Sequence, residues 1–419
     1  MAISLDRKTV AIYAGAIVLR LVIFLAFPDI PDFLTARVEI STPISSFQRL
    51  QEGLFLYQHG LSPYDGGVFH QAPLLLVIFE ILPPMLVFVG LDVLNAASLH
   101  VIADDLRIPT SRFHQLDGSL IAAAYLFNPF TILSCLGRST SIFTNAAIIQ
   151  AVFNAQSGNA IRAMFALAIG TYLSMYPALL LPPTLLMIHK NNRSRSLAAS
   201  IVSYAAGLAA LLATTPILTS GFWNFLASCY GVQITVPDLT PNVGLWWYFF
   251  IEIFDSFRDF FIGVFWLHLV GYVGGMTLRL QSQPLFVITS LLGLFAIFKP
   301  YPSIADVSLY LGFLSMYQHV LPCKLCPQRP QHPEVSLTIT VTRYTFIAAS
   351  VLLYSTLLGP AFHHLWIYAG SGNANFFYAI TLVWSLGLTI LVGDTLFAVM
   401  RDEWEMERPE MKGKSVRQI

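Results

Sequence analysis

Apolar residues in this chain neither alternate nor recur as a one-sided stripe. They come as near-unbroken runs separated by short polar pieces, at roughly 9–28, 73–100, 119–137, 140–157, 160–176, 177–189, 197–218, 260–278, 284–299, 303–321, 339–359 and 376–400. A helix of about 20 apolar residues crosses a hydrocarbon core of about 30 Å. In lipid every backbone polar group must be satisfied internally, which selects helices for such runs. The pattern predicts an all-α polytopic membrane protein, a single membrane domain over 1–419, with about 12 transmembrane helices and about 10 as the lower count. The range comes from 177–189, a short stretch in which Pro177, Pro182 and Pro183 predict a broken helix. The first run is longer than a signal-peptide core and is interrupted by Arg20, so it reads as a retained first span.

Composition agrees: 56% of residues are apolar and 11% charged, with a mean hydropathy of +0.66. That is about half the charge of an ordinary globular domain. A net charge of zero leaves no basic field, so no nucleic-acid partner is expected. The placement of Lys and Arg is more informative. Arg37, Arg49, Arg138, Arg258 and Lys299 fall on one side of the predicted membrane, and Arg20 lies within the first span. Most of the other basic residues fall on the opposite side. Basic loops stay cytosolic, so both termini, including a tail from 401 to 419, are predicted to be cytosolic. The far side then carries three segments longer than simple turns, 29–72, 219–259 and 360–376, and function is expected there.

In the first segment Ser45 and Ser46 predict a helix start, Phe47, Leu50, Leu54 and Tyr57 an amphipathic helix in the interface, and Gly60 its C-cap. The second segment has a stiff polar turn, Pro237 to Asn242, followed by Trp246, Trp247, Tyr248, Phe249 and Phe250, which suit a headgroup-level belt. Asp238 and Asn242 read either as substrate or partner contacts or as side chains closing their own turn. The third segment holds His363, His364, Trp366 and Tyr368, then a Gly/Asn turn with Asn373 and Asn375. The two asparagines would either meet a polar headgroup or only supply turn geometry. The histidines would bind phosphate or pack at the interface.

Other polar residues have structural readings beside functional ones. Arg20, Glu80, Asp306 and Asp394 lie within apparent spans, where charge is costly and often functional. Asn128-Pro129 predicts a kink whose freed carbonyls need a partner, and Asn145 predicts an interhelical hydrogen bond. Glu252, Asp255 and Asp259 would share one helix face, with Arg258 placed to pair with one of them. No metal site is expected there. Of four cysteines, Cys323 and Cys326 form a CxxC with only His332 nearby, short of a structural zinc set, so a Pro-rich turn with two free thiols is the reading.

Several stretches carry a resemblance: SPYDGGVFHQAPLL, LFNPFTILSC, VPDLTPNVGLWWYFFIEIF, KPYPSIADVSLY and HLWIYAGSGNANFFYAIT. Together, and in this order, they resemble the family of the U subunit of the glycosylphosphatidylinositol (GPI) transamidase. The N-terminus, the 322–338 loop and the tail are not covered by these motifs. The resemblance implies an endoplasmic reticulum protein in a multi-subunit complex that cleaves a C-terminal signal and joins the new carboxyl end to a GPI lipid. It implies as partners the other transamidase subunits, including the cysteine-protease-like one that performs catalysis, the GPI glycolipid and membrane lipids. This chain's own role would be non-catalytic, helping to hold the lipid, with no cofactor. Asn373, Asn375, His363, Trp366, Tyr368, Asp238, Asn242 and Trp246 are then the candidate lipid- or substrate-binding residues.

The family is in turn similar to dolichol-dependent mannosyltransferases, which implies a glycosyltransferase-C-like scaffold with amphipathic luminal helices. Those enzymes carry a paired acidic motif in the first luminal loop. Here the corresponding stretch, Ser41 to Phe47, holds no carboxylate, and Glu39 is the nearest acid. Two rivals stand beside the leading reading: an active mannosyltransferase using Glu39, Glu52 or Asp65 as base, and a transporter or lipid scramblase.

Overall fold

The computed structural model describes residues 6–106, 116–192, 196–218, 223–321 and 344–411, and these form helices and connections without a strand. The first half holds α1 (Arg7–Ala26), α2 (Asp29–Thr35), α3 (Phe47–Gln58), α4 (Pro73–Ile81), α5 (Pro84–Asp105), α6 (Gly118–Leu126), α7 (Pro129–Leu136), α8 (Ser141–Gln156) and α9 (Ala160–Leu173). The second holds α10 (Leu181–Asn191), α11 (Leu197–Leu218), α12 (Val232–Thr235), α13 (Trp246–Glu252), α14 (Asp255–Arg279), α15 (Pro284–Phe298), α16 (Ile304–Leu314), α17 (Thr345–Ile367) and α18 (Ala374–Glu407). By length and apolarity six of these are able to cross a membrane: α1, α5, α11, α14, α17 and α18. The pair α6–α7, bent by 54°, makes a seventh if counted as one span. Among the described residues, the predicted apolar stretches lie largely in helices or broken helix pairs; the first residues of the stretch at 339–359 lie outside the described residues.

The breaks have sequence causes. Between α4 and α5, Leu82 is extended ahead of Pro83 and Pro84. Between α6 and α7, Asn128 caps the second helix by accepting from Phe130 N at 2.9 Å. That leaves the Leu126 carbonyl without its helical donor, and Arg20 on α1 supplies one at 2.9 Å. Arg20 also donates to Asp92 Oδ2 at 2.9 Å and the Ala16 carbonyl at 3.2 Å, and both charged side chains are fully buried. The intramembrane arginine is thus a structural tie between α1, α5 and the α6–α7 break. Tyr176–Leu180 is a short 3-10 turn leading into α10, the predicted broken helix.

The centre of the bundle is α15, buried at every position but Phe298 and enclosed by α10, α14, α16 and α18. Asn145 on α8 donates to the Ala305 carbonyl on α16 at 2.9 Å, the interhelical bond its position predicts. Asp394 on α18 accepts from Tyr344 N at 2.8 Å, so it caps the start of α17. Asp306 closes a capping box with Ser303 and pairs with Lys299 at 2.5 Å. Glu80 is exposed on α4. The helices α11, α14 and α17 keep most of their apolar surface outward, as helices solvated by lipid do.

Some expectations fail. Glu252, Asp255 and Asp259 do not share a helix face, because α13 stops at Glu252 and Ile253 is extended before α14 begins. Arg258 pairs with no acid there; it donates to the Val236 carbonyl at 2.6 Å and covers the Phe250 ring at 5.2 Å. The segment predicted at 360–376 is mostly helix, since α17 continues through Pro360 to Ile367 and only 368–373 connects it to α18. The predicted tail from 401 begins as the last turns of α18. Cys323, Cys326 and His332 lie outside the described residues.

Candidate functional site

One end of the bundle is capped by the connections after α1, before α13 and before α18. The first meets the second through α3. Ser46 caps α3, and Gly60 closes it with φ +69. From the first turn of α3, Arg49 reaches Asp238 Oδ2 at 2.7 Å and Thr240 Oγ1 at 3.4 Å. Asp238 Oδ1 accepts from Thr240 N at 2.9 Å. Burial raises the Asp238 carboxyl, but the hydrogen bonds from Thr240 and Arg49 outweigh it and hold the group below its ordinary range. His70 stands behind this pair, with Nδ1 2.9 Å from the Ser228 carbonyl and Nε2 4.0 Å from Asp238. Burial, then the Arg49 charge, keeps His70 below its usual pKa.

Asn242 is fully buried and works within its turn, accepting from Gly244 N at 2.7 Å and donating to the Thr240 carbonyl at 3.1 Å. Gly244 is required, because a Cβ there would lie 2.5 Å from Pro302. Trp246 and Trp247 are buried rather than at a headgroup belt, which corrects the expectation for both. Trp246 donates its indole N–H to the Phe298 carbonyl at 2.8 Å and sits among Phe250, Phe265 and Trp266. The reason is the break at Ile253, which folds α13 back onto the start of α14. Asp238, Asn242 and Trp246 each bond within this capped end of the protein.

The remaining candidates do come together. Trp247 stacks on Trp366 at 6.1 Å and lies 5.9 Å from Phe377 and 5.8 Å from Tyr378. His363 lies 5.2 Å from Phe377 and 6.2 Å from Trp366. The Tyr248 hydroxyl donates to Asn375 Oδ1, and the Tyr378 hydroxyl donates to the Leu245 carbonyl at 3.1 Å. Asn373 caps α18, accepting from Phe376 N at 3.2 Å. Gly372 lies against the Trp366 backbone, where a Cβ would sit a tight 3.1 Å from Trp366 N. Tyr368 is exposed at the rim and stacks on His364.

Two buried atoms in this cluster have no hydrogen-bond partner in the protein, Trp247 Nε1 and His363 Nδ1. An indole N–H in an aromatic wall, beside an exposed Tyr and an Asn, suits a ligand that is apolar at one end and polar at the other. In the sequence Trp247 and Tyr248 read as membrane belt and Phe377 as the start of the apolar run at 376–400, so their meeting is visible only in the fold. For Phe377 the available signal is its nearness to Asn375 in the short NANFFY string; Trp247 and Tyr248 carry no such signal. Among the described residues no group of three His, Cys, Asp or Glu is placed to hold a metal.

A family model described as GPI transamidase subunit PIG-U matches residues 14–384. The chain belongs to the PIG-U family. It is 36% identical over 413 residues to the GPI transamidase component GAB1 of Saccharomyces cerevisiae, covering 98% of this chain and 99% of that protein. It is 33% identical over 411 residues to the human GPI-anchor transamidase component PIGU, covering 90% of each. The GAB1 homolog of Schizosaccharomyces pombe matches at 33% over 412 residues, covering 94% and 95%. The PIG-U match spans α13, α17 and the first turns of α18, so it includes the whole aromatic cluster.

Proposed function

We propose that this chain is a non-catalytic membrane component of the GPI transamidase, and that the α13–α17–α18 cluster holds the GPI lipid at the luminal face of the endoplasmic reticulum membrane. Membership of the PIG-U family makes it a GPI transamidase component. The observation that carries the lipid reading is the pair of unpartnered buried groups, Trp247 Nε1 and His363 Nδ1, in an aromatic cluster edged by Asn375 and Tyr368. Phosphate, hydroxyl and amine groups of a glycolipid complete such a set, while the rings cover its apolar start.

The non-catalytic reading rests on the first connection. Glu39 is gripped by Arg37 at 2.9 and 3.2 Å, and Thr42 and Ser45 bond each other at 2.8 Å, so hydroxyls stand near where a sugar-transferring relative would carry its acids. A carboxylate acting as general base must be free and within reach of the reacting hydroxyl. We read the scaffold as glycosyltransferase-C-like, with about 12 crossings and both termini cytosolic; six helices long enough to cross, the bent α6–α7 pair and the shorter apolar helices α9 and α15 are what support that reading. The cysteine-protease-like chemistry belongs to a partner subunit.

In cells lacking the chain, the wild type restores surface display of a GPI-anchored reporter. Trp247→Leu and Asn375→Lys are expected to reduce display several-fold while the variant still co-purifies with the other subunits. Normal display in both variants removes the lipid-holding role. Accumulation of an under-mannosylated glycolipid in the deleted cells would point instead to a sugar transferase.

A further inference from the structure

A second polar site lies away from the aromatic cluster and shares no residue with it. A partly open cleft runs between the 3-10 turn at Tyr176–Leu180 and helices α4, α8, α15 and α16. Its charged lining groups, Lys299 and Asp306, pair at 2.5 Å, and the ammonium sits 4.9 Å over the Tyr176 ring. The lining is therefore close to neutral. The rest of its polar wall is hydroxyl and amide: Thr140, Ser141 and Thr144 on one side, Gln71 on another.

Two polar atoms on this wall are buried without a partner, the Tyr176 hydroxyl and Gln71 Oε1. Both side chains are held. Gln71 donates its amide to the Ser46 carbonyl at 2.6 Å, which leaves Oε1 as a fixed acceptor, and Tyr176 lies against Trp266 and Phe295. Buried polar groups in native proteins are paired, so such atoms on a cleft wall mark a place where a ligand completes the set. A phosphate would have to displace Asp306 from Lys299, leaving a buried carboxylate facing an anion. A polyol has no such conflict, because its uncharged hydroxyls can both donate, as Gln71 Oε1 requires, and accept, as the Tyr176 hydroxyl requires.

We propose that this cleft binds a neutral polyhydroxylated ring, a pyranose or cyclitol, either free or as a lipid headgroup. The test is saturation-transfer NMR on the purified full chain in phosphatidylcholine nanodiscs, with methyl α-mannopyranoside, myo-inositol and methyl phosphate as probes. Transfer to at least one polyol is expected, with affinity about tenfold weaker in Tyr176→Phe and in Gln71→Leu. Tyr204→Phe, which removes a hydroxyl outside the cleft, is expected to leave it unchanged. If phosphatidylinositol in the disc suppresses the free-inositol signal, a headgroup is the occupant; if it does not, a free polyol is. Transfer only to methyl phosphate, transfer to none of the probes, or equal transfer in all variants overturns the proposal. None of these readouts depends on anchor attachment, so failure here is distinguishable from failure of the lipid-holding cluster.

Discussion

Replacing Arg20 by methionine strips three hydrogen bonds at once: those to Asp92, to the Ala16 carbonyl and to the Leu126 carbonyl freed by the α6–α7 break. Asp92 is then left fully buried without its cation. Breaking a buried pair from one side costs about 3–5 kcal/mol, and an unsatisfied buried carbonyl about 1–3 kcal/mol. A loss of about 4–8 kcal/mol is expected for Arg20→Met, a large share of the stability of an ordinary domain. Asp92→Leu strands the guanidinium and is expected to cost about 3–5 kcal/mol. The double variant removes both charges and retains mainly the Leu126 carbonyl defect, so its loss should fall to about 1–3 kcal/mol. The assay is reversible unfolding of the purified chain in mild detergent, followed by circular dichroism, for the four members of the cycle. If the double loss equals the sum of the single losses within about 0.5 kcal/mol, the two groups are uncoupled and the tie does not exist.

Three further outcomes follow from the same contacts. Gly293→Ala places a methyl 2.6 Å from Val392 and 3.0 Å from Tyr310, where α15 meets α18, and is expected to destabilise by about 1–3 kcal/mol; Gly263→Ala, in open space on α14, is not, and thermal melts compare them. Asn373→Ala removes the cap of α18 and is expected to cost about 1 kcal/mol without changing lipid contact, whereas Asn375→Ala spares the cap and weakens anchor attachment; melting and reporter display separate the two. Acidification unfolds the capped end in two stages. The lowered pKa of His70 means that the unfolded chain takes up its proton first, so stability falls as pH drops below about 6.5, and the depressed Asp238 carboxyl adds a second loss below about 4. His70→Gln should flatten the first stage and Arg49→Met the second in melts from pH 7 to 3; unchanged slopes would refute the assignment.

The sequence by itself determined the helical membrane class, the position of each apolar run and several local devices. Ser46 as a cap, Gly60 as a stop, the Asn128-Pro129 break and the Asn145 bond are all set by chemistry within a few residues or by the cost of an unsatisfied polar group in lipid. The family motifs were legible for the same reason, as unbroken strings. Tertiary structure alone decided partners distant in sequence. Nothing near Arg20 names Asp92, 72 residues away, and nothing near Arg49 names Asp238, 189 residues away. It also decided which aromatics are wall and which are belt: a tryptophan run reads the same whether it faces lipid or folds inward, and only the break at Ile253 turns Trp246 and Trp247 into the bundle. Burial depends on which helices pack together, and identical apolar stretches do not encode that choice locally.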